Sequence, residues 1–523
     1  MRLLWNCSFL VLLLMAMRAA AADGPAVKTE LGPVQGKTSG DGQINIFLGI
    51  PFAAPPVGAL RWKAPQPPAP WSELRNATAF GSRCIQIFGP PDMIFLDSGA
   101  SEDCLTLNIW APAKANAKLP VMAWIYGGSF AGGSGSEARY DGEALARRGV
   151  IVVTLNYRLG IFGFLATHEL AEESPQHAAG NYGLLDQSAA LHWVQRNIAA
   201  FGGDPANITI FGESAGSYSV NLQMASPLSR ELISHAIGES AGAVGRTVVQ
   251  FTDLATAEKE HEKFAKGTLH AENLAALRAL SADELAKKSS PKLFSSVPTF
   301  GPIIDGYFLT EAVAATFAAN KQALVPLMAG TNKDESSFES VSKLGRFGVQ
   351  NLNAMALQKF GFHGGEFLKV YHASNDAEAV RTADDFDSDT FVGFGTWAWL
   401  EAQVNSGINA VFRYSFDLGV PGDSKHPATL GAFHSDELEY VFGTLDSRKG
   451  TTWRPEDYKL SELMQSYWTN FAKSGNPNGA GLPNWPAYNG KDGWQVMHLD
   501  ATAGARSDEH RDRYLFLQKY WNK

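Results

Sequence analysis

The sequence predicts an α/β protein built on a large, mostly parallel sheet with helices on both faces. Three observations predict it. Short apolar runs ending in glycine or polar loops recur along the chain, and a stretch with helical spacing separates two of them. Side chains are 45% hydrophobic and 19% charged over 523 residues, which suits a globular protein with a large core. Strands alternating with helices bury both faces of a parallel sheet.

Taken in order, residues 121–126 form an apolar run that ends in Gly127 and Gly128, and 150–155 form another. Leu184, Leu185, Ala189, Leu191, Val194 and Ile198 recur at helical spacing. Residues 208–211 read as a third strand, and 215–225 as a helix of small and apolar residues. The stretch 252–288, rich in Ala, Glu, Lys and Leu, reads as a helical insertion or cap. Residues 323–329 form an apolar strand that enters Gly330 and a polar loop, and 410–416 form another. Repeats, heptads and low-complexity tracts are absent from the sequence, so residues 23–523 are expected to form one domain. Open parallel sheets bind ligands beyond the carboxyl ends of their strands, which is where chemistry is expected.

The first 22 residues read as a cleaved secretory leader. Met1 and Arg2 begin a short basic start, residues 9–17 are apolar, and Ala20, Ala21 and Ala22 supply a small-residue cleavage site before Asp23. The apolar run falls short of the roughly 20 residues of a membrane span, so a secreted or periplasmic protein without a membrane span is expected. Cys84 and Cys104 remain after cleavage, and an even pair in an exported chain suggests one disulfide. Asn76-Ala-Thr and Asn207-Ile-Thr match the glycosylation acceptor pattern. A formal net charge of −9 argues against broad attraction to nucleic acid or anionic lipid.

The pentapeptide Gly-Glu-Ser-Ala-Gly occurs twice, around Ser214 and around Ser240. Both match G-x-S-x-G, the strand-to-helix elbow that presents the nucleophile of α/β-hydrolases. Context separates the copies. Ser214 follows Asn-Ile-Thr-Ile-Phe and precedes a continuous helical stretch, whereas Ser240 precedes Ala-Gly-Ala-Val-Gly, which suits an immediate helix poorly. The helix matters because its amino end stabilises a developing oxyanion. Ser214 is therefore the expected nucleophile and Ser240 a turn residue. A serine hydroxyl needs a base to remove its proton and N–H donors to hold the oxyanion. Ala215 follows the nucleophile, and Gly127, Gly128, Ser129 and Phe130 form a loop that can supply further donors. Asp334 and Glu335, at the end of the later apolar strand, are the candidate acids. Among the 12 histidines, His434 and His426 are the leading candidate bases, and the residues alone leave both pairs open.

The chain resembles the type-B carboxylesterase family, which includes cholinesterases and bacterial p-nitrobenzyl esterases. The resemblance rests on Phe47-Leu-Gly-Ile-Pro-Phe-Ala, Ser101-Glu-Asp-Cys-Leu-Thr-Leu-Asn, Trp124-Ile-Tyr-Gly-Gly-Ser-Phe, Asn156-Tyr-Arg-Leu-Gly and the run from Phe201 through Gly216, in that order. It implies the α/β-hydrolase fold and a serine esterase that needs no cofactor or metal. By motif it assigns the nucleophile to Ser214, the acid to Glu335 and the base to His434. It likewise assigns the oxyanion donors to Gly128, Ser129 and Ala215, and a disulfide to Cys84 and Cys104. It places Phe338 near the substrate pocket, and it places Ser240 behind the site, where it would tune the His–Glu pair. Ser336 stands where the family usually has Gly after the acid. The stretch from Cys84 to Cys104 holds no Trp, the residue by which cholinesterases hold a quaternary ammonium. The expected reaction is hydrolysis of a small-molecule carboxylic ester through an acyl-enzyme. The sequence leaves the natural substrate, the preference for ester over carbamate, amide or thioester, and the oligomeric state open.

Overall fold

The computed structural model describes residues 24–86, 93–114, 118–247, 249, 251–290, 297–336, 347–422, 428 and 431–521. The leader (1–22), Phe338 and His426 lie outside the described residues. The strands of the main sheet, in chain order, are β1 (Lys37–Thr38), β2 (Ile44–Pro51), β3 (Thr106–Pro112), β4 (Leu119–Ile125), β5 (Ile151–Leu155) and β6 (Gly203–Glu213). They continue with β7 (His235–Glu239), β8 (Leu327–Asn332), β9 (Val411–Phe416), β10 (Gln495–Leu499) and β11 (Gly504–Ser507). These 11 strands lie in the order β11-β10-β9-β8-β7-β6-β4-β5-β3-β2-β1. The neighbours from β5 through β4, β6, β7, β8 and β9 to β10 are parallel, and both margins are antiparallel. The sheet is thus mixed, with the expected parallel centre.

The central strands are apolar through and through because helices cover both faces. All five residues of β5 are buried, as are Val121 to Ile125 of β4. Helix α1 (Tyr182–Asn197) buries Leu184, Leu191 and Val194, as their spacing predicts. Its connection to β6 turns at Gly202, whose φ of 90° is left-handed. Helix α2 (Ala215–Ala225) has the bounds read from the sequence, and every one of its residues is buried. Two of its polar side chains tie it to the segment after β7: Ser217 Oγ donates to the Ala241 carbonyl (2.6 Å), and Asn221 Oδ1 accepts from the Ala243 N–H (2.8 Å).

The 252–288 stretch is helical as expected, in three pieces: α3 (Leu254–Gly267), α4 (Leu274–Ala279) and α5 (Ala282–Ser289). Asp253, Asn273 and Ser281 start them by accepting the third following N–H. Helix α6 (Phe394–Asn405) packs behind β8 and β9. Cys84 and Cys104 form a disulfide.

Candidate active site

The first Gly-Glu-Ser-Ala-Gly copy closes β6 and opens α2. Ser214 sits between them at φ 54°, ψ −121°, a conformation that turns its side chain out of the strand path. The two glycines are sterically compelled. A Cβ on Gly216 would lie 1.9 Å from the Ile125 carbonyl oxygen, and one on Gly212 would lie 2.5 Å from it. Ser214 is the motif's one residue that is not buried.

The second copy has the same turn at its serine, with φ 58° at Ser240. It has no following helix, as its sequence suggested, and Ser240 is fully buried. Its glycines answer to packing: a Cβ on Gly238 would meet Trp399 of α6 at 2.2 Å, and one on Gly242 would meet the Gly395 carbonyl at 2.3 Å. The Ser240 hydroxyl bonds neither Glu335 nor His434, so the expected tuning contact is not made among the described residues. The stretch instead braces α2 through Ala241 and Ala243.

After β4 the chain runs through three successive left-handed residues, Gly128 (φ 101°), Ser129 (φ 56°) and Phe130 (φ 57°). This loop is held by Gly128's carbonyl, which accepts from the Ala131 and Gly132 N–H groups, and by Phe130's carbonyl, which accepts from Gly160. The N–H groups of Gly128, Ser129 and Ala215 donate to no protein acceptor among the described residues. Backbone donors left free beside a serine are what an oxyanion requires.

Glu335 and His434 are brought together from different strands. His434 Nδ1 lies 2.6 Å from Glu335 Oε2, and Glu335 Oε1 accepts the Asn332 N–H at 2.7 Å. Asp334, the other candidate acid, is the splint between their loops. Its N–H donates to the Ala432 carbonyl, and its Oδ2 accepts the Ala432 N–H, both at 3.0 Å. Gly431 (φ 72°) is needed here, since a Cβ would lie 2.2 Å from Asp334 Oδ2. Ser336 causes no backbone strain in place of the family's Gly. Its N–H donates to Ser388 Oγ (3.0 Å) and its hydroxyl to Asp384 Oδ1 (2.9 Å).

Ser214 and His434, the expected nucleophile and base, are not hydrogen-bonded to each other in this state. His434 Nε2 faces Glu213 Oε1 at 3.1 Å instead. Burial pulls the His434 pKa down, but the charges of Glu213 and Glu335 and the Glu335 hydrogen bond outweigh it and bring it up to about 9. Behind them, burial holds Glu239 up at about 8 despite the hydrogen bond from Trp468, and burial with neighbouring carboxylates raises Glu437 well above the carboxylate range. Glu239 is therefore mainly neutral at pH 7. Glu213 went unread although it lies inside the motif, because its aim towards His434 depends on the elbow's backbone. Phe391, which packs edge-on to the His434 ring at 5.1 Å, lies in a π-helical turn (Asp389–Gly393) that periodicity does not reveal.

Ser214 and Ala215 open onto a cavity of about 360 Å³, lined also by Phe130, Tyr218, Phe300 and Phe391. Its outer wall includes α3, so the helical insertion is a wall of the site.

The profile of the carboxylesterase family matches residues 23–516. The chain belongs to the carboxylesterase family. It is 38% identical to fumonisin B1 esterase of Sphingopyxis macrogoltabida, over 90% of this chain and 86% of that one. It is 36% identical to para-nitrobenzyl esterase of Bacillus subtilis (strain 168), over 93% and 97%. Liver carboxylesterase 1 of Oryctolagus cuniculus is 34% identical, over 99% and 98%. A solved PNB esterase structure superposes with a TM-score of 0.77 at 34% identity, covering 93% of this chain and 98% of that one. The fold is the α/β-hydrolase fold, and the chain is a carboxylic ester hydrolase.

The carboxylesterase landmarks read from the sequence are largely staples around this site. Asn156 Nδ2 donates to the Ser82 and Cys104 carbonyls, and Tyr157 donates its hydroxyl proton to the Tyr126 carbonyl beside the Gly127–Gly128 turn. Arg158 forks onto buried Asp186 with two 2.8 Å bonds, and Arg61 forks onto Glu102 with two 2.6 Å bonds.

Proposed function

We propose that this serine carboxylesterase works through Ser214 as nucleophile, His434 as general base and Glu335 as the acid that orients the base. The 23–516 match and the Ser214 elbow opening onto the cavity are what support the reading most. His434 Nε2 turns from Glu213 to take the Ser214 proton as Oγ attacks the ester carbonyl carbon. Gly128, Ser129 and Ala215 donate N–H to the oxyanion. The carbonyl re-forms, the alcohol leaves with the proton from His434, and water then repeats the sequence on the acyl-enzyme. Glu335 holds Nδ1–H and supports the imidazolium charge. Phe338 belongs to the pocket on this reading.

The protein is on the same reading exported, with residues 1–22 removed and 23–523 acting as one catalytic domain around the Cys84–Cys104 disulfide. No helix among the described residues is long and apolar enough to cross a membrane. Purified mature protein should hydrolyse p-nitrophenyl acetate, butyrate or octanoate, and Ser214→Ala should lower kcat by ~10⁴-fold or more. Undiminished turnover in Ser214→Ala would overturn the assignment. A mature amino terminus that does not begin near Asp23 would overturn the leader.

A further inference from the structure

The cavity in front of Ser214 carries a charge that the acyl-transfer chemistry does not use. Among its described lining residues, three side chains can titrate: Tyr218, His261 and Glu260. Tyr218 stays neutral, because burial raises it to about 12. His261 is fixed as a neutral ring. Its Nδ1 accepts the Ala166 N–H at 2.9 Å, which leaves Nε2 to donate to the Thr299 carbonyl at 3.2 Å. Burial lowers its pKa further. Glu260 remains as the one charged lining group among the described residues.

Glu260 is also unbonded among the described residues, although its charge acts on the adjacent His261 ring. It makes no ion pair or hydrogen bond with any described residue, and Lys263, one turn along the same helix, does not reach it. Glu262, two residues further on, accepts the His168 N–H. The helix itself fixes its place. Ala257, His261 and Phe264 of α3 are buried towards the protein, and Glu260 falls on the same face at the solvent edge of the cavity. Glu260 is exposed at this edge and the rest of the wall is mainly apolar or aromatic, so its charge is the one that a substrate reaching the edge meets. An unpaired carboxylate at the cavity edge attracts a cation and repels an anion.

We propose that the site selects esters that carry a protonated amine on the portion lying against α3, with Glu260 as the specificity-determining residue. This rests on the esterase assignment above and adds the substrate class. A primary or secondary ammonium suits Glu260 because it donates hydrogen bonds to the carboxylate, which a quaternary ammonium cannot. Esters whose corresponding portion ends in a carboxylate are disfavoured.

The test uses three p-nitrophenyl esters of matched length: 6-aminohexanoate, heptanoate and monoadipate. The quantity read is the ratio of kcat/KM for the aminohexanoate to that for the heptanoate. Glu260→Gln should lower this ratio about five-fold, the upper range for a solvent-edge ion pair. Glu260→Lys should invert the order so that the adipate overtakes the aminohexanoate. A ratio equal within about two-fold in wild type and Glu260→Gln overturns the proposal. Calorimetric Kd values for heptylammonium against 1-heptanol read the same contrast without turnover, and an equal contrast in both proteins overturns it too. Heptanoate hydrolysis that is absent, or that survives Ser214→Ala, overturns the esterase assignment instead, and the Kd contrast still decides on Glu260.

Discussion

Replacing Glu213 by Gln should move the pH dependence of the enzyme without moving its fold. His434 is clasped between two carboxylates, with Nδ1 2.6 Å from Glu335 and Nε2 3.1 Å from Glu213. A pair at that spacing is worth about 5 kcal/mol at an effective dielectric of about 20, before burial is charged against it. The net effect raises the imidazole from 6.5 to about 9, which corresponds to roughly 3 kcal/mol in favour of the imidazolium. Glu213 supplies the larger charge–charge attraction, and Glu335 adds a hydrogen bond to its own. Burial is the largest cause of the raised pKa values of Glu239 and Glu437 and persists when Glu213 loses its charge, while Arg139 opposes protonation of His434. Glutamine keeps the shape and loses the charge. A general base must be unprotonated, so a raised pKa places the rising limb of kcat/KM above pH 6.5 in the wild type. Glu213→Gln should bring that limb down by about one pH unit or more. The assay is kcat/KM for p-nitrophenyl butyrate from pH 5 to 9.5, with the Ser214→Ala protein as the blank. Limbs that coincide in the two proteins would refute the electrostatic reasoning, whatever happens to the plateau.

Gly128→Ala should lower kcat by about 10²–10³-fold with a smaller effect on KM. The residue is left-handed at φ 101° with the Gly132 oxygen 2.3 Å from the new Cβ, and a displaced loop withdraws oxyanion donors. Steady-state kinetics beside circular dichroism would check it. Replacing Cys84 and Cys104 together by Ser should cost about 3 kcal/mol of stability, the chain-entropy value for opening a loop of 20 residues. Denaturant unfolding should show an earlier midpoint, and an unchanged midpoint would sink it.

Much of the fold was legible because burial on both faces leaves unbroken apolar runs, and the parallel centre consists of such runs. β4, β5, β6 and β9 were located from them, whereas β8, expected at 323–329, begins at Leu327 and runs on to Asn332. β1–β3, β10 and β11 were not located: Asn45, Asn108 and His498 interrupt the apolar runs of β2, β3 and β10, and β1 and β11 are only two and four residues long. Ser214 was legible because its elbow imposes glycine on both sides by backbone contact. His434 was not, because nothing local marks one histidine among 12; its position depends on the Asp334–Ala432 pairing between loops about 100 residues apart in the chain. The resemblance to a family supplied what spacing could not. Glu260 was invisible for a similar reason: on its own helix it looks like any solvated charge, and only the packing of that helix against the site brings it to the cavity.

The buried second pentapeptide has a practical bearing on every knockout. A decoy nucleophile with the same five residues would normally confound a Ser214→Ala control, since leftover turnover could be blamed on it. Ser240 has neither the free volume in front of its hydroxyl nor a helix behind it, and the indole of Trp399 blocks the turn. It is barred by sheer crowding from substituting for its twin. Background hydrolysis in the knockout is then not the work of Ser240 but only what the remaining backbone donors and His434 sustain, a low floor against which weak substrates can be ranked.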